Sequence, residues 1–62
     1  MKVLVRFEDG HIEVLVNVFI ISFICIADRY YYEFRYVENG NNNLLVRYDK
    51  RVVREMEIYD KW

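Results

Sequence analysis

The 62-residue sequence contains no proline, two glycines, one cysteine and one histidine. Collagen-like and linker compositions need abundant glycine and proline, so these classes are excluded. The single cysteine, Cys25, cannot form a disulfide within the chain, and zinc sites built on cysteine pairs are excluded for the same reason. A chain this short buries only about 60% of the surface that its unfolded form exposes.

Residue types that carry catalysis are equally scarce. His11 is the only histidine and is flanked by acids, which predicts a charge-balanced residue at the rim of a turn. Cys25 lies in the middle of an apolar run and is predicted to be buried and unreactive. Gly10 and Gly40 belong to no phosphate-binding pattern. We therefore expect a protein that is not an enzyme, with no catalytic residue, no cofactor and no metal site.

Charge and hydropathy exclude further classes of protein. Nine basic and ten acidic residues give a formal net charge of −1, so the overall basic field typical of nucleic-acid-binding proteins is absent. The most apolar stretch, residues 12–27, is interrupted by polar side chains and falls short of the about 20 residues that a membrane span needs. Residues 1–4 lack the layout of a signal peptide. Together with the unpaired cysteine, these features predict a cytoplasmic protein that does not enter a membrane.

Hydrophobic residues, by contrast, are abundant: they make up 55% of the chain, and 18% of the chain is aromatic. Asp9-Gly10 lies between alternating apolar residues, which is the strongest short-range signal for a β-hairpin. A two-residue turn there places the apolar side chains of both strands on one face. The predicted pairs are Phe7–Ile12, Val5–Val14, Val3–Val16 and Met1–Val18.

No turn residue separates this hairpin from the following β-branched and aromatic run. The run predicts a long second strand that bends, or a bulge between Asn17 and Ile20 that redirects it. A buried helix over Phe19–Ala27 is the alternative. The next reversal is predicted at Asp28-Arg29, with the pairs Phe23–Phe34, Cys25–Tyr32 and Ile21–Tyr36.

The asparagine-rich segment 38–43 predicts the next loop. A three-residue connection over 39–41 pairs Tyr36 with Leu44, Phe34 with Val46 and Tyr32 with Tyr48. The same register sets Glu33 opposite Arg47 and Tyr31 opposite Asp49 on the second face, so the pairs on both faces support it.

The fold class that we predict is all-β, with a single small domain spanning residues 1–62. Its strands form an antiparallel meander of about five strands, twisted or closed into a small barrel, with a long bent second strand. Segment 51–62 is predicted to be a strand, because Val52-Val53 and Ile58-Tyr59 are weak helix formers. A short helix with four-residue-spaced ion pairs, Arg51–Glu55 and Glu57–Lys61, is the alternative.

Both faces of the central strands carry apolar side chains, whereas a meander that faces water on one side should be polar there. One predicted face carries Ile21, Phe23 and Phe34, and the other carries Ile20, Ile24, Ile26, Val37 and Leu45. Barrel closure or another chain must cover part of the second face, and unpaired edge strands offer a further route to association. We therefore expect a homodimer or a protein that docks tightly on a larger partner.

The segment from Arg29 to Tyr36 interleaves aromatic residues with arginine, a composition enriched at protein interfaces. We expect a non-enzymatic binding or inhibitor protein that occupies a surface of a larger macromolecule. The candidate partner-binding residues are Tyr31, Arg35, Arg47, Arg51 and Arg54.

Single-stranded nucleic-acid binders use a similar interleaving. The alternative is therefore a small nucleic-acid-binding β-barrel that uses Tyr31 and the Arg47–Arg54 cluster. Very small acidic domains without catalytic motifs are common among phage and mobile-element proteins that block host defence enzymes, anti-CRISPR proteins among them. By this class-level analogy, an anti-defence role is one form of the expected inhibitor function.

Overall fold

The computed structural model describes residues 1–60, apart from the side chains of Asn41 and Asn42, and over this range the chain forms six β-strands. The strands are β1 (Lys2–Phe7), β2 (Ile12–Leu15), β3 (Val18–Ile26), β4 (Arg29–Glu38), β5 (Asn41–Asp49) and β6 (Val53–Tyr59). They form two three-stranded antiparallel sheets, with the orders β2–β1–β6 and β3–β4–β5. The all-β antiparallel class is confirmed, whereas the single five-strand meander is wrong.

The two sheets do not close into a barrel. They meet where the backbone nitrogen of Met1 donates to the Val18 carbonyl at 2.8 Å and the Val18 nitrogen donates to the Met1 carbonyl at 2.9 Å. Over residues 1–60 no strand ladder continues from one sheet into the other. The predicted Met1–Val18 pair is thus formed, although it joins two sheets rather than extending one hairpin.

The first hairpin is displaced by one residue from the predicted register. Its loop has three residues, with Gly10 at a φ of 91°, and the Phe7 nitrogen donates to the His11 carbonyl at 2.9 Å. Three-residue loops of this kind place glycine in the left-handed region after a turn, and Asp9-Gly10 fits that loop as well as a two-residue turn. A one-residue slip exchanges the faces of β2. The observed pairs are Arg6–Ile12, Val5–Glu13, Leu4–Val14 and Val3–Leu15.

The predicted long bent strand is two strands that belong to different sheets. β2 ends at Leu15, Asn17 adopts a φ of 57°, and β3 begins at Val18. Asparagine tolerates this left-handed conformation better than most residues, so the chain can turn there without glycine. An irregularity in pairing with β4 follows between Val18 and Ile20. The alternative helix over Phe19–Ala27 is wrong.

The β3–β4 turn lies one residue earlier than predicted. Ala27 and Asp28 have φ values of 51° and 65°, as a two-residue hairpin turn requires, and the register therefore shifts by two. The observed partners include Phe23–Tyr32, Ile21–Phe34 and Cys25–Tyr30. Because an even shift leaves every side chain on its predicted face, the face assignment is unchanged.

The β4–β5 register agrees with the predicted one at all five pairs, including Glu33–Arg47 and Tyr31–Asp49. The connection itself differs. It is a two-residue turn at Asn39-Gly40, both with positive φ, and an irregularity between Tyr36 and Glu38 compensates for the missing residue.

The C-terminal strand prediction is confirmed over Val53–Tyr59, where β6 pairs with β1. The predicted strand begins too early, because a 3-10 turn occupies Lys50–Val52. The Asp49 side chain caps this turn by accepting a hydrogen bond from the Arg51 nitrogen at 2.9 Å. No α-helix forms over residues 51–60. The last two residues of the predicted segment, and with them the predicted Glu57–Lys61 pair, lie outside the described residues.

The core lies between the two sheets. Its buried side chains are Val3, Val5, Phe7, Val18 and Phe34, of which Phe7 is the most exposed at 9%. Half-buried residues from both sheets surround them: Leu15, Ile21, Tyr32, Tyr36, Val46, Tyr48, Val53 and Met56. In the part of the chain that is described, no helix is long and apolar enough to cross a membrane.

Candidate binding surface

The side of the β3–β4–β5 sheet that faces away from the core is here called the outer face. Strand alternation places every second residue on it. These residues are Ile20, Ser22, Ile24 and Ile26 from β3, Arg29, Tyr31, Glu33 and Arg35 from β4, and Leu45, Arg47 and Asp49 from β5. The β3 side of this face is apolar and the β5 side is charged.

Glu33 lies at the centre of the outer face and is only 7% exposed. Its carboxylate accepts a hydrogen bond from Arg47 Nε at 2.7 Å, and Arg35 Nε lies 3.7 Å from its other oxygen. A buried carboxylate is costly unless it is paired in this way. The consequence is that two half-exposed arginines are held in place before any partner arrives, which lowers the entropy that binding would lose.

Large apolar side chains on this face are exposed to solvent. Ile20 and Leu45 lie on either side of Arg35, and Ile26 lies at the far end of β3 beside Arg29. Ile20, Ile26 and Leu45 are each more than 40% exposed. Single exposed apolar residues are ordinary on protein surfaces, but several on one sheet face are more typical of a contact site. The outer face therefore combines an exposed apolar strip with pre-positioned arginines.

A pocket of about 310 Å³ lies at the end of the sheet, between the β3–β4 turn and the 3-10 turn. Its walls are formed by Asp28, Arg29, Tyr30, Asp49, Lys50 and Arg51. Asp49 accepts hydrogen bonds from Arg51 Nη2 at 2.9 Å and from Arg51 Nε at 3.2 Å. The side-chain hydrogen bonds from Arg51, followed by that from its backbone nitrogen, lower the pKa of Asp49 to about 2. Arg51 is thus bound to its neighbour rather than directed at a ligand.

The structure brings together some of the predicted partner-binding residues. Tyr31, Arg35 and Arg47 lie on the outer face, and Arg51 is attached to its edge through Asp49. Arg54 lies on β6 in the other sheet and is not part of this surface. The apolar residues of β3 and Leu45 were expected on the second face but were not among the candidates. The uncharged run over residues 18–26 is the sequence signal that points to them.

The hairpin of β3 and β4 extends beyond the sheet that covers the core. Phe23 and Tyr30 stack there with ring centroids 5.4 Å apart and an interplanar angle of 10°, and Phe23 is 53% exposed. Cys25 lies on the same extension and is exposed. The predicted burial of Cys25 is wrong. Its side chain is on the core-facing side of β3, but it lies on the part of the hairpin that extends beyond the core.

The one cluster built around His11 offers no nucleophile. His11 Nε2 lies 3.3 Å from a Glu13 oxygen, and the Tyr48 hydroxyl donates to the other Glu13 oxygen. Burial, followed by the Glu13 hydrogen bond, holds the pKa of Tyr48 well above its usual value. Tyr48 therefore stays protonated and serves as a donor that links the two sheets. Over the described range no three His, Cys, Asp or Glu residues lie close enough together to hold a metal ion.

Fold and surface together define a small antiparallel protein of two packed sheets with an exposed face of apolar and arginine side chains. No family model, no curated protein and no solved structure matches the chain.

Proposed function

We propose that this chain is a non-enzymatic binding protein that docks its outer face on a larger protein partner. The observation that carries the proposal is the Arg35–Glu33–Arg47 cluster beside the exposed Ile20 and Leu45. Interfaces are enriched in arginine and in aromatic residues around an apolar centre, and Tyr31 supplies the aromatic element. Occupying the partner's surface would make the chain an inhibitor or an adaptor.

The chemistry of the outer face specifies the partner's surface. Three arginines and two acids lie on this face, and both acids already have arginine partners, Arg35 and Arg47 at Glu33 and Arg51 at Asp49. The complementary surface would be apolar where it meets β3 and would carry carboxylates where it meets Arg35 and Arg47, since these arginines keep unused donors for a second acceptor. An anti-defence, anti-CRISPR-like role is one form of this proposal and depends on class-level analogy.

The nucleic-acid-binding alternative has weaker support from the surface. Of the arginines that would follow a phosphate backbone, Arg47 is paired with Glu33 and Arg51 with Asp49, and Arg54 lies on the other sheet. Of the aromatic side chains of β4, only Tyr31 lies on the outer face, whereas stacking platforms for single strands use several.

The test is quantitative capture from a lysate of the native source with two matched variants. Leu45→Asp changes a 41% exposed residue of the outer face, and Val14→Asp changes a 49% exposed residue of the other sheet. We expect the same protein to be retained by the wild type and by Val14→Asp and to be lost with Leu45→Asp. Circular dichroism checks that both variants fold.

Two results would contradict the proposal. One is a partner that Leu45→Asp retains as well as the wild type does. The other is a captured species that nuclease removes and whose binding falls steeply with salt, because counterion release marks a nucleic-acid contact.

A further inference from the structure

The four strands at the sheet edges differ in how well they are protected from pairing with another strand. Edge strands usually carry charges that prevent such pairing. β2 carries Glu13, β5 carries Arg47 and Asp49, and β6 carries Arg54, Glu55 and Glu57. β3 has the sequence VFIISFICI, with no charge, no proline and no glycine. Its edge is therefore the one on which nothing opposes a second strand.

The free part of this edge is well defined. Val18 is already bound to Met1, but from Ile20 to Ile26 the register with β4 is uninterrupted. Over residues 1–60 no backbone hydrogen bond connects this segment to any strand except β4. Along these seven residues, the backbone groups directed away from β4 have no protein partner within residues 1–60, which makes this edge a ready site for strand addition.

We propose that β3 pairs with β3 of a second copy of this chain, antiparallel and about a two-fold axis through Phe23. Phe23 is the middle residue of Ile20–Ile26. A two-fold axis perpendicular to the sheet at this residue places outer-face side chains of one copy opposite outer-face side chains of the other. The outer-face pairs are Ile20 with Ile26 and Ser22 with Ile24. On the core side, Ile21 lies opposite Cys25, and the two Phe23 rings lie opposite each other.

The second copy fits this edge because the segment is complementary to itself. Every cross-strand pair joins two uncharged residues, so no like charges lie directly opposite each other. The charge nearest to the axis is that of Lys50, whose Nζ lies 5.8 Å from the centre of the Phe23 ring. The other three edges place charged residues in such a pairing. The pairing also covers the exposed Phe23 ring, which contacts Tyr32 at 5.2 Å, and creates a row of four rings across the axis.

The assembly is closed. The combined six-stranded sheet has β5 at both ends, and Arg47 and Asp49 on these strands oppose further addition. The product is therefore a dimer rather than a fibre, and the two outer faces lie on the same side of one continuous sheet.

Sedimentation velocity at micromolar concentration tests the pairing. We expect the wild type to sediment at twice the mass of the 7.7 kDa chain. Ile20→Lys should sediment as a monomer, because a lysine on an edge strand opposes pairing with another strand. Val14→Lys, at a residue of similar exposure on the other sheet, should remain dimeric. Mixing Ile20→Lys with Ile26→Glu should restore the dimer, since the two substituted residues lie opposite each other.

Disulfide trapping tests the axis. In a Cys25→Ser background, Phe23→Cys should form a disulfide dimer under mild oxidation. The wild-type Cys25 should not, because the two copies are offset by four residues, about 14 Å. A monomeric wild type, a larger oligomer, or a dimer that Val14→Lys disrupts and Ile20→Lys does not would overturn the proposal. Leu45→Asp, which tests partner docking, should leave the dimer intact, so the two proposals fail separately.

Discussion

Replacing Arg47 with methionine is predicted to destabilise the fold more than replacing Glu33 with glutamine, although both changes break the same ion pair. The side chain of Glu33 is 9% exposed and that of Arg47 is 46% exposed. Removing the arginine leaves a buried carboxylate whose remaining partner is Arg35 at 3.7 Å. Breaking a buried pair in this way costs about 3–5 kcal/mol, and we expect about 3 kcal/mol because Arg35 remains.

Glu33→Gln should lower the free energy of unfolding less than Arg47→Met does, because it leaves the half-exposed Arg47 guanidinium in contact with water. A hydrogen bond to a charged group contributes about 1.5–3 kcal/mol. We expect the lower end, about 1.5 kcal/mol, because the arginine regains hydration. The expected difference in the free energy of unfolding between the two variants thus arises because Glu33 is buried and Arg47 is half-exposed.

Urea denaturation followed by circular dichroism measures both free energies of unfolding. The variants must be compared at one protein concentration, because self-association would make stability depend on it. The double variant completes a thermodynamic cycle that isolates the interaction between the two side chains. A Glu33→Gln variant that is destabilised as much as Arg47→Met would refute the assignment of Glu33 as the buried member of the pair.

Three further predictions concern the core and the turns. Phe34→Ala removes a fully buried ring and should cost about 3–5 kcal/mol in urea denaturation, and a loss below 1 kcal/mol would refute its central place in the core. Gly10→Ala should cost about 1–2 kcal/mol from backbone strain alone, because φ is 91° and no atom lies within 4 Å of the added methyl; an unchanged midpoint would contradict the turn. The pKa of Asp49 is lowered from 3.8 to about 2, so its contribution is present above pH 4 and is lost as the pH falls towards 2. Carboxyl NMR titration should show this low midpoint, and Arg51→Gln should return it towards 4.

The fold class and the second sheet follow from local sequence signals. Asn39-Gly40 marks the β4–β5 turn. The Phe34–Val46 pair on one face and the Glu33–Arg47 pair on the other select the same register. The β3–β4 faces were also predictable, because the misplaced turn shifted the register by an even number. For this reason Tyr31, Arg35 and Arg47 could be assigned to one surface before the structure was known.

The first sheet was not predictable to the same degree. Asp9-Gly10 fits a two-residue turn and a three-residue loop alike, and the consecutive apolar residues Val14, Leu15 and Val16 satisfy either register. The change of sheet at Asn17 has no glycine or proline to mark it. Pairing of β6 with β1 joins residues about fifty positions apart, as in the Arg6–Glu57 contact, so no local pattern indicates it.

Methyl NMR of the chain bound to its captured partner tests the docking surface most directly. With isoleucine, leucine and valine methyl groups labelled, we expect partner binding to shift or broaden the signals of Ile20, Ile24 and Leu45. The signals of Ile12 and Val14, exposed on the other sheet, should stay unchanged. Perturbation of Ile12 and Val14 with an unaffected Leu45 would contradict the assignment of the outer face as the binding surface.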